Sequence, residues 1–229
     1  MENPMRVLLC YQSEECTMSD KVTTQQIYDY VKNKIISKEL FPGNRIVEAE
    51  LAEEMNTSRT TVRNAIAQLN YAGLLEIKPN YGTFVTKPTM VDMAHTYDVR
   101  RALEEEAIRL AIPNVQNEAL DKMETILNAQ AELEHVYSMN RYIDLNKSFH
   151  WVIVRLAGNS ILEKYLDEMF NRTAIFLTFY DESATNKGSI ATHEHMLNAL
   201  RARDEKAAIQ AVREDITLAS DSLTVSDHF

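Results

Sequence analysis

The sequence predicts a mainly α protein in two parts: a small helical unit closed by a β-hairpin, then an all-α bundle of about six helices. Three observations carry that expectation. Residues 51–85 set two short amphipathic stretches around a hydroxyl-led turn and end on two β-prone runs flanking Pro79-Asn80-Tyr81-Gly82. Everything after Thr89 keeps the apolar spacing of helices, interrupted only where Pro, Gly or Asn punctuate it. The 229 residues are 45% hydrophobic and 25% charged, which suffices for two cores, and the longest apolar runs are only a few residues.

The first unit opens with a helix expected over 24–39. Thr23 and Gln26 form a capping-box pattern, and Ile27, Val31 and Ile35 make its buried stripe. Leu40 to Asn44, holding Pro42-Gly43, is the turn that follows. A second helix, about 48–55, offers Leu51, Ala52 and Met55 for packing, and Asn56-Thr57 leads into Ser58 as the N-cap of a third. On that third helix Arg59, Thr60 and Arg63 occupy the first turn and a half, where free backbone N–H groups favour a phosphate. Val62, Ile66 and Leu69 line its other face for packing, and Gly73 fits the left-handed position past its end. Strands expected over 74–78 and 83–86 then form a wing. The outline is a winged helix-turn-helix over 21–86, whose second helix enters the major groove by its N-terminal end while the Gly82 hairpin approaches the neighbouring backbone or minor groove. Residues 87–90, with Pro88, form the linker.

The net charge of −10 argues against nucleic-acid binding until it is divided along the chain. Residues 21–90 hold nine Lys or Arg against seven Asp or Glu, and residues 91–229 hold fourteen against twenty-three. The acidity belongs to the second half, and a mildly positive first half with arginines at one helix start suits duplex DNA. So weak an excess implies that affinity needs a dimer. Residues 1–20 are a leader expected to be disordered; they hold both cysteines, Cys10 and Cys16, with neither His nor further Cys nearby to suggest zinc or a disulfide framework. The start is too short in apolar residues for a secretory signal, so a cytoplasmic protein that does not meet a membrane is expected.

The segment LAEEMNTSRTTVRNAIAQLNYAGL, with Gly82 and Val85 beyond it, resembles the winged helix-turn-helix of GntR-type bacterial transcription regulators, over Thr24 to Val85. The resemblance implies that Arg59, Thr60, Arg63 and Gly82 contact operator DNA, with Ser58 capping the reading helix. Thr61 replaces a frequent proline and Asn64 a frequent glutamate; the second change bears on base preference.

In residues 91–229, helices are expected over about 91–112, 117–135, 139–157, 160–184, 189–202 and 204–223, with breaks at Pro113, Gly158-Asn159, Gly188 and Arg203-Asp204. Polar residues inside their apolar stripes are the informative ones. Asn146 and His150 stand one turn apart on the inward face of their helix. His193 and His195 lie about 200° apart around an α-helix, so at most one points inward, and Ile190, Leu197 and Leu200 select His193. Asp215 sits in the last helix among Ala208, Ala211, Val212, Leu218 and Ala219, where a carboxylate needs a cation or donors. Asn146, His150, His193 and Asp215 form a nitrogen and oxygen set suited to a divalent transition metal (zinc, nickel, manganese or iron), or to a polar core network.

Asn146-Lys-Ser-Phe-His150, then Leu156-Ala-Gly-Asn159 and His193, resembles the FCD effector domain of one GntR subgroup. The resemblance implies metal ligands at Asn146, His150 and His193 and at position 215, where this chain has Asp instead of the usual histidine. DVRRALEEEAIRLA is similar to the opening helix of that domain, so Arg100 and Glu104 are expected to meet an effector, Arg100 by a bidentate bond to a small organic acid; an Arg100–Glu104 pair is also a common structural device. The combined expectation is a homodimeric regulator, a repressor by family resemblance, that binds a pseudo-palindromic operator and responds to a small carboxylate, a metal or both. A metal sensor without organic effector and a metal-dependent enzyme are the alternatives.

Overall fold

The computed structural model describes residues 22–133, 138–181 and 187–223. The leader with Cys10 and Cys16, and likewise His135 and His228, lies outside the described residues.

Helix α1 (Thr24–Ile36) starts on the capping box read from the sequence: Gln26 N–H donates to Thr23 Oγ1 at 3.2 Å and Thr23 N–H donates to Gln26 Oε1 at 2.8 Å. It stops three residues short of expectation, because Lys38 turns left-handed at φ 61°. Strand β1 (Arg45–Ile46) was not expected. Two residues are too few to show a period-2 pattern, and pairing against a partner strand creates this one. Then come α2 (Glu48–Glu54), α3 (Arg59–Tyr71), β2 (Leu75–Lys78) and β3 (Gly82–Val85). The antiparallel sheet has the order β1-β3-β2, with Arg45 opposite Phe84 and Lys78 opposite Gly82. The wing is therefore three-stranded, and Gly82 opens β3 instead of ending the turn. Ile27, Val31, Ile35, Leu51, Met55, Val62, Ile66 and Leu69 form the core beneath it. Gly73, at φ 74°, ends α3 as expected, and Leu74 N–H donates to the Leu69 carbonyl at 2.9 Å.

The bundle consists of α4 (Met90–Ala111), a 3₁₀ turn (Ile112–Asn114), α5 (Asn117–Glu132), α6 (Met139–Ala157), α7 (Ser160–Tyr180), α8 (Lys187–Ala202) and α9 (Glu205–Asp221). Helix α4 begins at Thr89, which forms a second capping box with Asp92. It runs through the middle of the domain against α6, α7 and α9, while α8 packs on α9. Three expectations are corrected. Gly188 falls inside the first turn of α8 instead of breaking the chain, a position where the N–H groups lack intrahelical partners in any case. Helix α7 ends at Tyr180, short of 184. Leu218 is 49% exposed; the inward position on the last turns of α9 belongs to Ile216, which follows Val212 by four residues.

The two units share packing. Helix α1 lies on α6 and α7, and Ile36 is buried among Leu133, Tyr142, Ile143, Ala174 and Leu177 of the bundle.

Candidate DNA interface and metal centre

Ser58 caps α3: Thr61 N–H donates to Ser58 Oγ at 3.1 Å. That bond satisfies one of the first-turn donors and leaves the others facing outward with Arg59 and Thr60, both exposed. Arg63 is exposed one turn later and its Nε donates to Glu48 Oε2 on α2 at 2.7 Å, which holds the guanidinium against α2. The wing brings in a residue that the sequence reading missed. A Cβ on Gly82 (φ 118°) would stand 3.1 Å from Arg45 Nε, so the Arg45 side chain lies directly across the hairpin. Beside it Tyr81 is 74% exposed at the tip. Arg45 had no signal of its own, because the strand that places it was not legible.

The second site is built on five helices. His150 (α6), His193 (α8) and Asp215 (α9) are all buried, and their ligand atoms lie within 4.8 Å of one another. His150 Nε2 is 3.2 Å from His193 Nε2 and 3.2 Å from Asp215 Oδ2, and His193 Nε2 is 3.5 Å from Asp215 Oδ1. The other nitrogen of each imidazole faces an oxygen, through a hydrogen bond at His193 and through an ion-pair contact without hydrogen-bond geometry at His150. His150 Nδ1 sits 2.5 Å from Glu104 Oε2 on α4, and His193 Nδ1 is 2.8 Å from Gln130 Oε1 on α5. His193 also stacks on Phe149, centroids 4.1 Å apart at 9°. Thr192 Oγ1 donates to Asp215 Oδ1 at 2.7 Å. Asn146 is buried one turn before His150 and is not hydrogen-bonded to this cluster among the described residues.

Arg100, 2% exposed, donates from Nε to Glu104 Oε1 at 2.5 Å, and its guanidinium lies over the Phe170 ring at 4.8 Å. Both oxygens of Glu104 are thus engaged by protein groups. The sequence reading missed Gln130 and Thr192. Gln130 interrupts the stripe Leu120, Met123, Ile126 and Leu127 of α5 as His150 interrupts its own, so the same test finds it. Thr192, next to the chosen histidine, gave no such signal. His195 and His95 are exposed.

The charges are arranged unequally. Burial works against a charged His150, but the Glu104 and Asp215 carboxylates outweigh it and push the imidazole up to about 9. Burial pushes His193 down to about 3, with Asp215 opposing. Burial would raise Asp215, yet His193, His150 and Arg100 hold it below the usual carboxylate range, and Arg100 and His150 do the same for Glu104. Arg100 and protonated His150 therefore balance two carboxylates around a neutral His193.

The donor set fits a divalent cation. Ligands at about 2.1 Å from a metal stand about 3.0–3.4 Å from one another in octahedral or tetrahedral geometry; the His150–His193 and His150–Asp215 separations of 3.2 Å fall in that range and the His193–Asp215 separation of 3.5 Å lies just beyond it. Carboxylate and amide oxygens behind the two imidazoles are the supports that metal-binding histidines use. No thiolate contributes among the described residues.

Comparison with known proteins bears on the two-part organisation of the chain. Residues 23–85 match the model for bacterial regulatory proteins of the gntR family, and residues 95–218 match that of the FCD domain. The HTH-type regulator YdhC of Bacillus subtilis is 27% identical over 190 residues, covering 82% of this chain and 84% of YdhC. The HTH-type transcriptional repressor RspR of Escherichia coli is 23% identical over 200 residues, covering 87% and 88%. The structure of E. coli McbR/YncC shares the fold with a TM-score of 0.75 at 23% identity, over 85% of this chain and 93% of that one. None of the described helices is long and apolar enough to cross a membrane. With a winged reader at one end and the FCD bundle over more than half its length, the chain belongs to the GntR family of bacterial regulatory proteins, FCD group, and is a transcription regulator rather than an enzyme.

Proposed function

We propose that the protein is a homodimeric, metal-dependent repressor whose bundle also accepts a small carboxylate. The observation that carries the metal is the convergence of His150 Nε2, His193 Nε2 and Asp215, with His193 hydrogen-bonded to Gln130 from behind and His150 facing the Glu104 carboxylate. Asn146, one turn before His150 on α6, would supply a further oxygen. A divalent cation there would act as a Lewis acid toward an incoming carboxylate. Arg100, its Nε on Glu104 and its guanidinium over Phe170, is the cation proposed to meet the effector's carboxylate. Glu104, expected to meet the effector as well, better suits a supporting role for Arg100 and His150.

At the other end Arg59, Thr60 and Arg63 enter the major groove from the Ser58-capped end of α3, with Gly82 and Arg45 against the adjacent backbone. Two readers on one dimer fit a pseudo-palindrome, in the cytoplasm where the operator lies. RspR's description as a repressor supports the sign of regulation. Binding to the bundle changes operator affinity by linkage.

The test is a band shift on DNA from the protein's own promoter, with elemental analysis of the same preparation. Arg59→Ala and Arg63→Ala are expected to lose sequence-specific binding, and His150→Ala to lose both the metal and the metal's effect on binding. Specific binding retained by both arginine variants eliminates α3 as the reader. Absence of metal after loading with zinc or manganese eliminates the buried centre.

A further inference from the structure

Helix α7 touches both ends of the protein. Phe170 reaches into the buried centre: its ring is 5.8 Å from that of His150 and 4.8 Å from the Arg100 guanidinium carbon. Two residues further on, Arg172 faces the DNA-reading unit. There it lies against Gly73, the left-handed residue that ends the reading helix α3; a Cβ on Gly73 would stand 2.8 Å from Arg172 Cγ and 2.9 Å from its Nε. Glu168, one turn back on α7, fixes the guanidinium through Nε at 3.0 Å and a terminal nitrogen at 2.8 Å. Lys164, another turn back, lies over the ring of Tyr71, the last residue of α3, at 5.3 Å. A cation at the C-terminal end of a helix also meets the negative end of its dipole.

The rest of the boundary divides into a tight part and a loose part. At the far end of α7, Ile36 is buried against Ala174 and Leu177, and Phe41 packs on Phe179 with centroids 5.6 Å apart. Beside the Arg172 clamp the chain leaves a crevice of about 620 Å³, walled by α1, α3, α6 and α7, with Tyr28, Lys32, Gln68, Lys147 and Asp167 on its sides. A gap of that size beside two fixed contacts gives the reader room to tilt about the buried one. Close-packed interiors, by contrast, deform between discrete arrangements.

We propose that α7 is the element that connects the buried centre to the reading helix, with Phe170 sensing the arrangement of His150 and Arg100 and Arg172, held by Glu168, setting the position of α3 through Gly73. Arg172 is a positioning residue: it lies at the opposite end of α3 from Ser58, Arg59 and Thr60. A small rotation of α7, driven by repacking at Phe170, moves the clamp and so tilts the DNA-facing end of a helix about 20 Å long. This rests on the functional reading above.

The experiment uses the full chain with Arg172→Ala, Glu168→Gln and Arg172→Lys, zinc or manganese chloride as the only ligand, and promoter DNA. Metal Kd is measured by calorimetry, operator Kd with and without metal by anisotropy, and backbone exchange over residues 69–74 by hydrogen–deuterium mass spectrometry. In the wild type the metal is expected to change operator Kd by about 5- to 150-fold, the usual span of a coupling free energy. In Arg172→Ala that ratio falls towards one with metal Kd unchanged, exchange over 69–74 accelerates, Glu168→Gln follows partway, and Arg172→Lys retains most of the coupling. Full coupling in Arg172→Ala overturns the proposal. If the wild type binds no metal, or its operator Kd ignores the metal, the functional reading fails on its own; unchanged exchange over 69–74 in Arg172→Ala then overturns the clamp separately.

Discussion

Gln130 shows how a single residue decides what the buried centre can do. Its Oε1 accepts from His193 Nδ1 at 2.8 Å, which fixes that imidazole with Nε2 as the nitrogen free to ligate, in a ring whose burial already keeps it neutral. Asp215 likewise depends on Thr192, which holds one of its oxygens and thereby its rotamer. The four inward polar residues were legible because each interrupts an apolar stripe, a signal that needs no partner. What was not legible is which side chain anchors which, since Gln130 and His193 are 63 positions apart and only the packing of α5 on α8 brings them together. Gln130→Leu keeps volume and removes the acceptor, so the protein is expected to fold and to bind zinc about 10- to 100-fold more weakly, by calorimetry. An unchanged Kd would mean that His193 is not oriented through Gln130.

Among the elements, helices with strong caps were read most accurately. Helix α6 runs from Met139 to Ala157 as expected, started by Ser138 and ended by Gly158 at φ 63°. Strand β1 escaped, because its two residues are extended only by virtue of β3. The reading helix shows what a cap contributes. Ser58 Oγ accepts from Thr61 N–H, and removing it leaves a first-turn donor unsatisfied at the end proposed to present Arg59 and Thr60 to DNA. Ser58→Ala is expected to cost about 1 kcal/mol. For a chain of this size that corresponds to a Tm lower by about 2–4 °C, measurable by calorimetry. Operator affinity should fall further than this instability explains, because fraying begins where the DNA is met. A variant with lowered Tm and unaltered operator Kd would show that the first turn of α3 does not touch the duplex.

For the whole molecule, the distribution of charge constrains how it meets DNA. The chain carries −10 overall, yet Arg45, Arg59, Arg63 and Lys78 gather on the reader and wing. Glu48 and Glu76 already accompany Arg63 and Lys78 at 2.7 and 3.3 Å, whereas Arg45 and Arg59 form no ion pair among the described residues. The acidic bundle repels the duplex at longer range, and salt screens that repulsion along with the attraction. Counterion release then distinguishes one reader from two. If each of the four cations neutralises a phosphate, a dimer with both readers engaged gives a slope of log Kobs against log salt of about −7, and a single reader about −3.5. Arg59→Ala removes one contact per reader and is expected to reduce the slope by about 2 in the dimer. Titrating the same promoter fragment across salt concentrations, for wild type and Arg59→Ala, measures both quantities. A wild-type slope near the single-reader value, changed by about 1 in the variant, would overturn the two-reader arrangement, because the charge on one winged helix cannot supply the larger figure.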